Sequence, residues 1–185
     1  MRIVAGAYRG RALVAPKGQS TRPTAGRTRE ALFNILEHAA WSNGIRDHRV
    51  LDIFAGSGAL GLEAVSRGAA ACLCLDNDPA ALTAVAENIA ALKLAAIVAT
   101  RRLDVRHMPR NDTAPFDLVF LDPPYAQGLV LPVLAALDQN QWLAPGALIV
   151  VERGATDGEL IAPGFARLDS RTWGAARVDF LRYEV

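Results

Sequence analysis

The chain predicts a mostly parallel, doubly wound α/β sheet, and three observations carry that prediction. From Val50 onward, short apolar runs alternate with helix-length amphipathic stretches, the pattern of right-handed βα units. The first apolar run leads into a glycine-rich turn, Gly56-Ser57-Gly58-Ala59-Leu60-Gly61, as phosphate- and nucleotide-binding sheets do. A later run, Phe116-Asp117-Leu118-Val119-Phe120-Leu121, ends on Asp122-Pro123-Pro124-Tyr125 and so sets polar groups at a strand's carboxyl end, where open α/β sheets hold ligands.

The elements follow in order. The first twenty residues alternate loosely between the breaks at Gly6, Gly10 and Gly18, which predicts one or two short strands or a hairpin, set apart as a basic extension over 1–20. Residues 21–185 form the main domain. Pro23 holds Arg22 extended, Thr24 can cap a helix, and Leu32, Ile35, Leu36 and Ala39 form its apolar face. Strands are expected near 50–54, 71–76, 96–100, 116–122 and 147–152. Helices are expected near 59–67, 79–93 and 128–138, the second with Ala80, Leu82, Val85, Ala86, Ile89 and Leu92 as its buried stripe. After residue 164 the pattern changes. Two strands, 165–170 and 178–183, flank Trp173-Gly174-Ala175-Ala176 with no helix between them, so an antiparallel hairpin completes a seven-stranded sheet with helices on both faces.

At 185 residues the chain can bury a full core in one domain. No uncharged run is long enough to span a bilayer, and the N-terminus lacks a signal-peptide core, so a cytoplasmic protein without a membrane partner is expected. Cys72 and Cys74 lie on one face of a strand, with neither disulfide spacing nor zinc-site company; no metal is expected. The net charge of +1 hides an asymmetry: residues 1–30 hold seven of the 20 basic side chains and one of the 19 acids, a local +6. A basic arm of this kind suits either a polyanion such as RNA or a plain solvated edge. The second cluster, Arg101, Arg102, Arg106, His107 and Arg110, reads as a solvated loop.

The glycine turn admits two cofactors. Gly56, Gly58 and Gly61 satisfy G-x-G-x-x-G, and Asp76 follows Gly56 by twenty residues, which is the dinucleotide fingerprint of an NAD-dependent oxidoreductase. Against that stands Asp52, inside the strand, where its carboxylate would repel a pyrophosphate but welcome an α-ammonium group such as that of S-adenosylmethionine. His38, His48 and His107 end no predicted core strand, leaving hydride transfer without a histidine proton donor at the sheet's edge. Methyl transfer also employs Asp122-Pro123-Pro124-Tyr125: Asp122 and the Pro123 carbonyl can accept the N–H groups of an exocyclic amine, Pro124 stiffens the turn, and Tyr125 can stack on the base. The simpler reading of this segment is a strand stop with Asp122 as a cap. Asp76 would take the ribose hydroxyls, and Asp104 with the Val105 amide the adenine; a loop cap is the alternative for Asp104.

On these residues the chain resembles the class I S-adenosylmethionine-dependent methyltransferases. Met1-Arg2-Ile3-Val4-Ala5-Gly6 with Tyr8-Arg9-Gly10-Arg11 is similar to the opening of the bacterial small-subunit (16S) rRNA guanine-N2 methyltransferases. So is Arg22-Pro23-Thr24 with Arg27, Arg29-Glu30 and Leu32–Leu36, and so is the loop Phe54–Ala64 with Ser66-Arg67-Gly68. The pattern departs at Gly26, where that family usually has an acid, and at Asp76, where it usually has Glu. The resemblance implies methylation of a guanine N2 in small-subunit rRNA, naked or in a 30S particle, by a monomer. The expected cofactor shell is Thr24, Asp52, Phe54, Ala55, Gly56, Gly58, Asp76, Asn77, Asp104 and Val105, and the expected RNA contacts are Arg2, Arg9, Arg11, Arg22, Arg27 and Arg29. An adenine-N6 methyltransferase and a non-catalytic RNA-binding module are the competing readings.

Overall fold

The computed structural model describes residues 1–16, 24–124 and 128–184, with the side chains of Thr24 and Ala25 left out. In chain order the elements are α1 (Thr24–His38), β1 (Arg49–Ile53), α2 (Ala59–Ser66), β2 (Ala71–Asp76), α3 (Pro79–Leu92), β3 (Val98–Arg102), a 3-10 turn (Val105–His107), β4 (Phe116–Leu121), α4 (Val130–Gln139), β5 (Leu143–Gly154), β6 (Phe165–Trp173) and β7 (Ala176–Tyr183). Among the described residues the seven strands form one sheet in the order β3-β2-β1-β4-β5-β7-β6. The first five are parallel, and β7 runs antiparallel between β5 and β6. The strand order reverses at β1 and β4, which makes their carboxyl ends the natural crevice for a ligand.

Alternation along the strands divides the core in two. Val50, Cys72, Cys74, Leu118, Phe120, Leu148 and Val150 face one cluster with Phe33 and Leu36 of α1, Leu62 and Val65 of α2, and Val85 and Ile89 of α3. Leu51, Ile53, Leu75, Val119, Leu121, Ile149 and Val151 face the other, with Val133, Leu134 and Leu137 of α4 and the fully buried Trp142. Helices thus cover both faces. Several boundaries differ from those expected, among them the start of β5 at Leu143 in place of 147. Strand β3 begins two residues late because α3 ends at Lys93 in the left-handed conformation and the chain turns through Leu94 before pairing. The hairpin strands run longer than their apolar cores, because ladder bonds to β7 continue to Gly154 and Trp173 regardless of side-chain polarity.

The basic opening segment is bonded to the core. An antiparallel bridge joins Arg2 and Ala12, and Ile3 and Leu13 are buried with α1 and α2. The carboxylate of Glu63, fully buried on α2, accepts the amides of Val4 at 2.8 Å and Ala5 at 3.0 Å. Ser66 Oγ accepts the Tyr8 amide, and Asn88 on α3 both accepts from and donates to Val14. Gly6 has φ +80°, and a Cβ there would lie 1.9 Å from the Ser66 carbonyl oxygen, so only glycine lets this segment pass over α2. The proposed division at residue 20 falls outside the described residues. Among those described, no helix is long and apolar enough to cross a membrane.

Candidate active site

The sheet's carboxyl edge gathers acids from neighbouring strands. Ile53 of β1 pairs with Leu75 of β2 and Leu121 of β4, and Leu121 pairs with Val151 of β5. One residue further on, Phe54, Asp76, Asp122 and Glu152 therefore form a row. Phe54 holds φ +61°, a conformation bulky residues rarely adopt, which turns the chain sharply out of β1. The turn is then pinned from several sides: the Ala55 amide donates to the Leu75 carbonyl at 3.0 Å, the Gly56 amide to Asp76 Oδ2 at 2.9 Å, and the Gly58 amide to the Ala55 carbonyl at 2.7 Å. Gly58 has φ +74°, and a Cβ there would lie 3.2 Å from Val85 of α3.

Asp52 is 2% exposed, and its Oδ2 accepts the Gly61 amide at 2.9 Å, tying the first turn of α2 to β1. A Cβ on Gly61 would meet Cys72 Sγ at 2.5 Å, so the third glycine of the motif serves helix-to-strand packing. Burial pushes the Asp52 carboxyl up to about 8, the Gly61 amide opposes that, and the charges of Asp122 and Asp76 add to it. Asp122 is raised to about 7, first by burial and then by Glu152. Burial thus holds Asp52 and Asp122 largely protonated near neutrality, as carboxyls that a cation brought to this edge would help to ionise.

Asp76 is half-buried and oriented from both sides, its Oδ1 accepting the Asp78 amide at 2.9 Å. Asn77 is exposed, and its carbonyl accepts Arg102 Nε. Asp104 accepts from the Arg106 guanidinium at 2.7 Å and from the Arg106 amide at 3.0 Å, bonds that hold it well below the usual carboxylate range. Asp104 thereby caps the 3-10 turn, and the Val105 side chain beside it is buried. Pro123 is buried and Pro124 exposed. Tyr125, Arg22 and the side chain of Thr24 lie outside the described residues.

The arginines part company. Arg2, Arg9, Arg11 and Arg27 are exposed. Arg29 departs from expectation: it is 6% exposed, donates to the Arg2 carbonyl at 2.5 Å and lies 3.8 Å from buried Glu63. It faces inward because residues 29, 32, 33 and 36 share one helical stripe, so it ties α1 to the opening segment and is not placed to meet a phosphate. In the second basic cluster, Arg101 pairs with Asp112, Arg106 with Asp104, and Arg110 with Gln141. Two site residues escaped the sequence reading, Glu152 and Arg153. Their signal was a charged pair closing the apolar run Leu148–Val151, as Asp122 closes its own.

A family model described as Conserved hypothetical protein 95 matches residues 1–182. The Ribosomal RNA small subunit methyltransferase D of Escherichia coli strain K12 is 40% identical over 158 residues, which cover 85% of this chain and 77% of that protein. The Haemophilus influenzae protein of the same name is 38% identical over 179 residues, covering 94% and 89%. Among solved structures, yhhF of Escherichia coli superposes with a TM-score of 0.87 at 36% identity, covering 100% of this chain and 98% of that one. HI0767 of Haemophilus influenzae does so at 0.80 and 32%, with 100% and 98% covered. With the model matching almost from end to end and these relatives beside it, the chain belongs to the Conserved hypothetical protein 95 family and has the class I methyltransferase fold.

Proposed function

We propose that the protein methylates the exocyclic N2 amine of a guanine in small-subunit ribosomal RNA, with S-adenosylmethionine as methyl donor. The observation that carries this reading is the acidic carboxyl edge. The charges of Asp122 and Asp76 reach buried Asp52 and raise its proton affinity, and an edge so lined with carboxyls favours a ligand bearing an ammonium and a sulfonium over one bearing a pyrophosphate. The names of the relatives supply the RNA. S-Adenosylmethionine supplies a methyl group on a cationic sulfur, ready for in-line displacement.

The chain's own residues supply position. Asp52 faces the ammonium end, the Gly56–Gly58 turn brings its backbone close, and Asp76, already oriented by the Gly56 and Asp78 amides, keeps lone pairs for ribose hydroxyls. Asp104 can accept the adenine amine only beside, or in place of, Arg106. At the other side of the edge, Asp122 and the Pro123 carbonyl accept the two N2–H bonds. Guanine N2 is a poor nucleophile because its lone pair is delocalised into the ring. Fixing both hydrogens turns that lone pair out of the ring plane and aims it at the methyl group. The methylated amine is acidic and sheds its proton without a strong base. Tyr125 stacks on the extruded base, worth about 1–3 kcal/mol. Exposed Arg2, Arg9, Arg11 and Arg27, with Arg22, hold the RNA backbone.

Single-turnover transfer of a labelled methyl group to small ribosomal subunits and to naked small-subunit RNA tests the assignment. Wild type should label RNA, and Asp122→Asn should label it slower by orders of magnitude while binding S-adenosylhomocysteine as before. Labelling that does not depend on Asp122 would refute its role. A folded protein that binds RNA and transfers no methyl group to it would instead be a non-catalytic module.

A further inference from the structure

Behind Pro123 and Pro124, on the α4 face of the sheet, lies a cavity of about 380 Å³ lined by none of the glycine-turn residues. Leu129 and Val130 at the start of α4 form one wall, the connection from β5 to β6 at Asp157 and Glu159 another, and Arg153 of β5 closes it. Arg153 is 6% exposed. Its Nε donates to the fully buried Asp179 at 2.5 Å and its Nη1 to the Gly158 carbonyl, yet Nη2 is buried with no partner among the described residues. Buried donors are almost always satisfied. One left over in the wall of a cavity is available to a visiting acceptor.

The chemistry of the walls narrows what that acceptor can be. Asp179 balances the charge of Arg153, Glu159 is paired with Arg167 at 2.7 Å, and Asp157 adds a negative charge, so a phosphate is poorly served. A neutral, flat group with an acceptor edge is well served: the volume suits it and the proline and leucine surfaces give it faces to lie on. Continuing the register of Leu121 with Val151 sets Pro123 beside Arg153 on the α4 face, and Pro123 itself lines the cavity, so a base whose amine is held at the Pro123 carbonyl would extend its far edge toward it. In guanine that edge carries O6 and N7, the acceptors arginine reads best; adenine puts its N6 donor where O6 would be.

We propose that this cavity receives the O6/N7 edge of the target guanine and that the Nη2 donor of Arg153 selects guanine there. The inference rests on the guanine-N2 reading above and adds what tells guanine from other amine-bearing purines. Its test compares small-subunit RNA carrying guanine or 2,6-diaminopurine at the methylated position, since both present an N2 amine and only guanine has O6. By kcat/KM, wild type should favour guanine by roughly tenfold to a hundredfold, the range for one lost hydrogen bond to a charged donor. Arg153→Lys keeps a cation for Asp179 but loses the forked donor, and Arg153→Met with Asp179→Leu removes both buried charges together, so neither strands a carboxylate. Each should reduce the preference to within about threefold, mainly through slower guanine methylation, with thermal melting confirming the fold. A preference that survives in both folded variants overturns the inference while leaving guanine methylation standing. Equal losses on both RNAs would mark a backbone contact and overturn it too. Methylation of adenine N6 in place of guanine N2 would defeat the functional reading, and this inference with it.

Discussion

Asp52→Asn separates the electrostatic account of the site from a purely steric one. In the folded protein the Asp52 carboxyl titrates at about 8, against about 3.9 in an unfolded chain. Below pH 4 both states hold the proton and Asp52 contributes no pH dependence. Between pH 4 and 8 the unfolded state has lost the proton that the folded state keeps, so stability falls as pH rises, and above pH 8 the penalty is constant. A shift of about four units corresponds to an upper bound of about 6 kcal/mol, at about 1.4 kcal/mol per unit. Asparagine cannot titrate, and its carbonyl can still accept the Gly61 amide, while its new NH2 needs a partner at a pH-independent cost of about 1–3 kcal/mol. The variant should therefore be less stable than wild type, or equal to it, at pH 5, and gain on it steadily to pH 8. Asp122, raised to about 7, leaves the variant a shallower slope of its own. Urea midpoints at pH 5, 6, 7 and 8 give both curves, and titration with S-adenosylhomocysteine at pH 8 should show weaker binding by the variant. Parallel stability curves would refute the claim that Asp52 is a buried acid held ready for a cation.

Three further outcomes follow from the same geometry. Gly6→Ala should cost about 2–4 kcal/mol of stability, since the new methyl group meets a backbone carbonyl and φ is positive; urea unfolding measures it, and a loss under 0.5 kcal/mol would mean that the opening segment does not cross α2 as described. Changing Arg2, Arg9 and Arg11 together to Ala should leave the Tm nearly unchanged but lower RNA affinity and flatten its salt slope by about 2–3 units, whereas Arg29→Ala should lower the Tm; an unaltered salt slope would move the RNA site elsewhere. The kcat/KM for methylation should rise with pH through about 7 in wild type, because ionised Asp122 is the better acceptor, and lose that step in Asp122→Asn; Tyr125→Phe should stay near wild type on the same RNA while Tyr125→Ala loses most of the rate.

Much of the frame can be read before any coordinates, for local reasons. β2 and α3 fall within a residue of expectation in length, with Pro79 at the helix start and Asp78 capping it, but the buried stripe of α3 is Ala81, Ala84, Val85, Asn88, Ile89 and Leu92, so Ala80, Leu82 and Ala86 of the expected stripe lie outside it. The glycine turn and Asp76 were legible because their spacing carries a mechanism, and the Gly56–Asp76 bond shows how that spacing closes. Long-range polar pairing was not legible. Glu63 and Ser66 bind amides about sixty residues away, and nothing in a single sequence says which buried acid takes which backbone group. Arg29 differs from the other arginines because its place on the stripe of Leu32, Phe33 and Leu36 turns its charge inward. Arg153 stayed hidden because its partner Asp179 lies on another strand, and only the β5–β7 register brings them together.

The identity of the modified nucleoside tests the central claim most directly. Small subunits from a strain lacking this protein are incubated with the purified protein and S-adenosylmethionine, their RNA is digested to nucleosides, and the methylated product is identified by mass spectrometry against standards. The account predicts one new product, N2-methylguanosine, absent when Asp122→Asn replaces the wild type. N6-methyladenosine in its place, or a methylated nucleoside that forms equally well with Asp122→Asn, would contradict it.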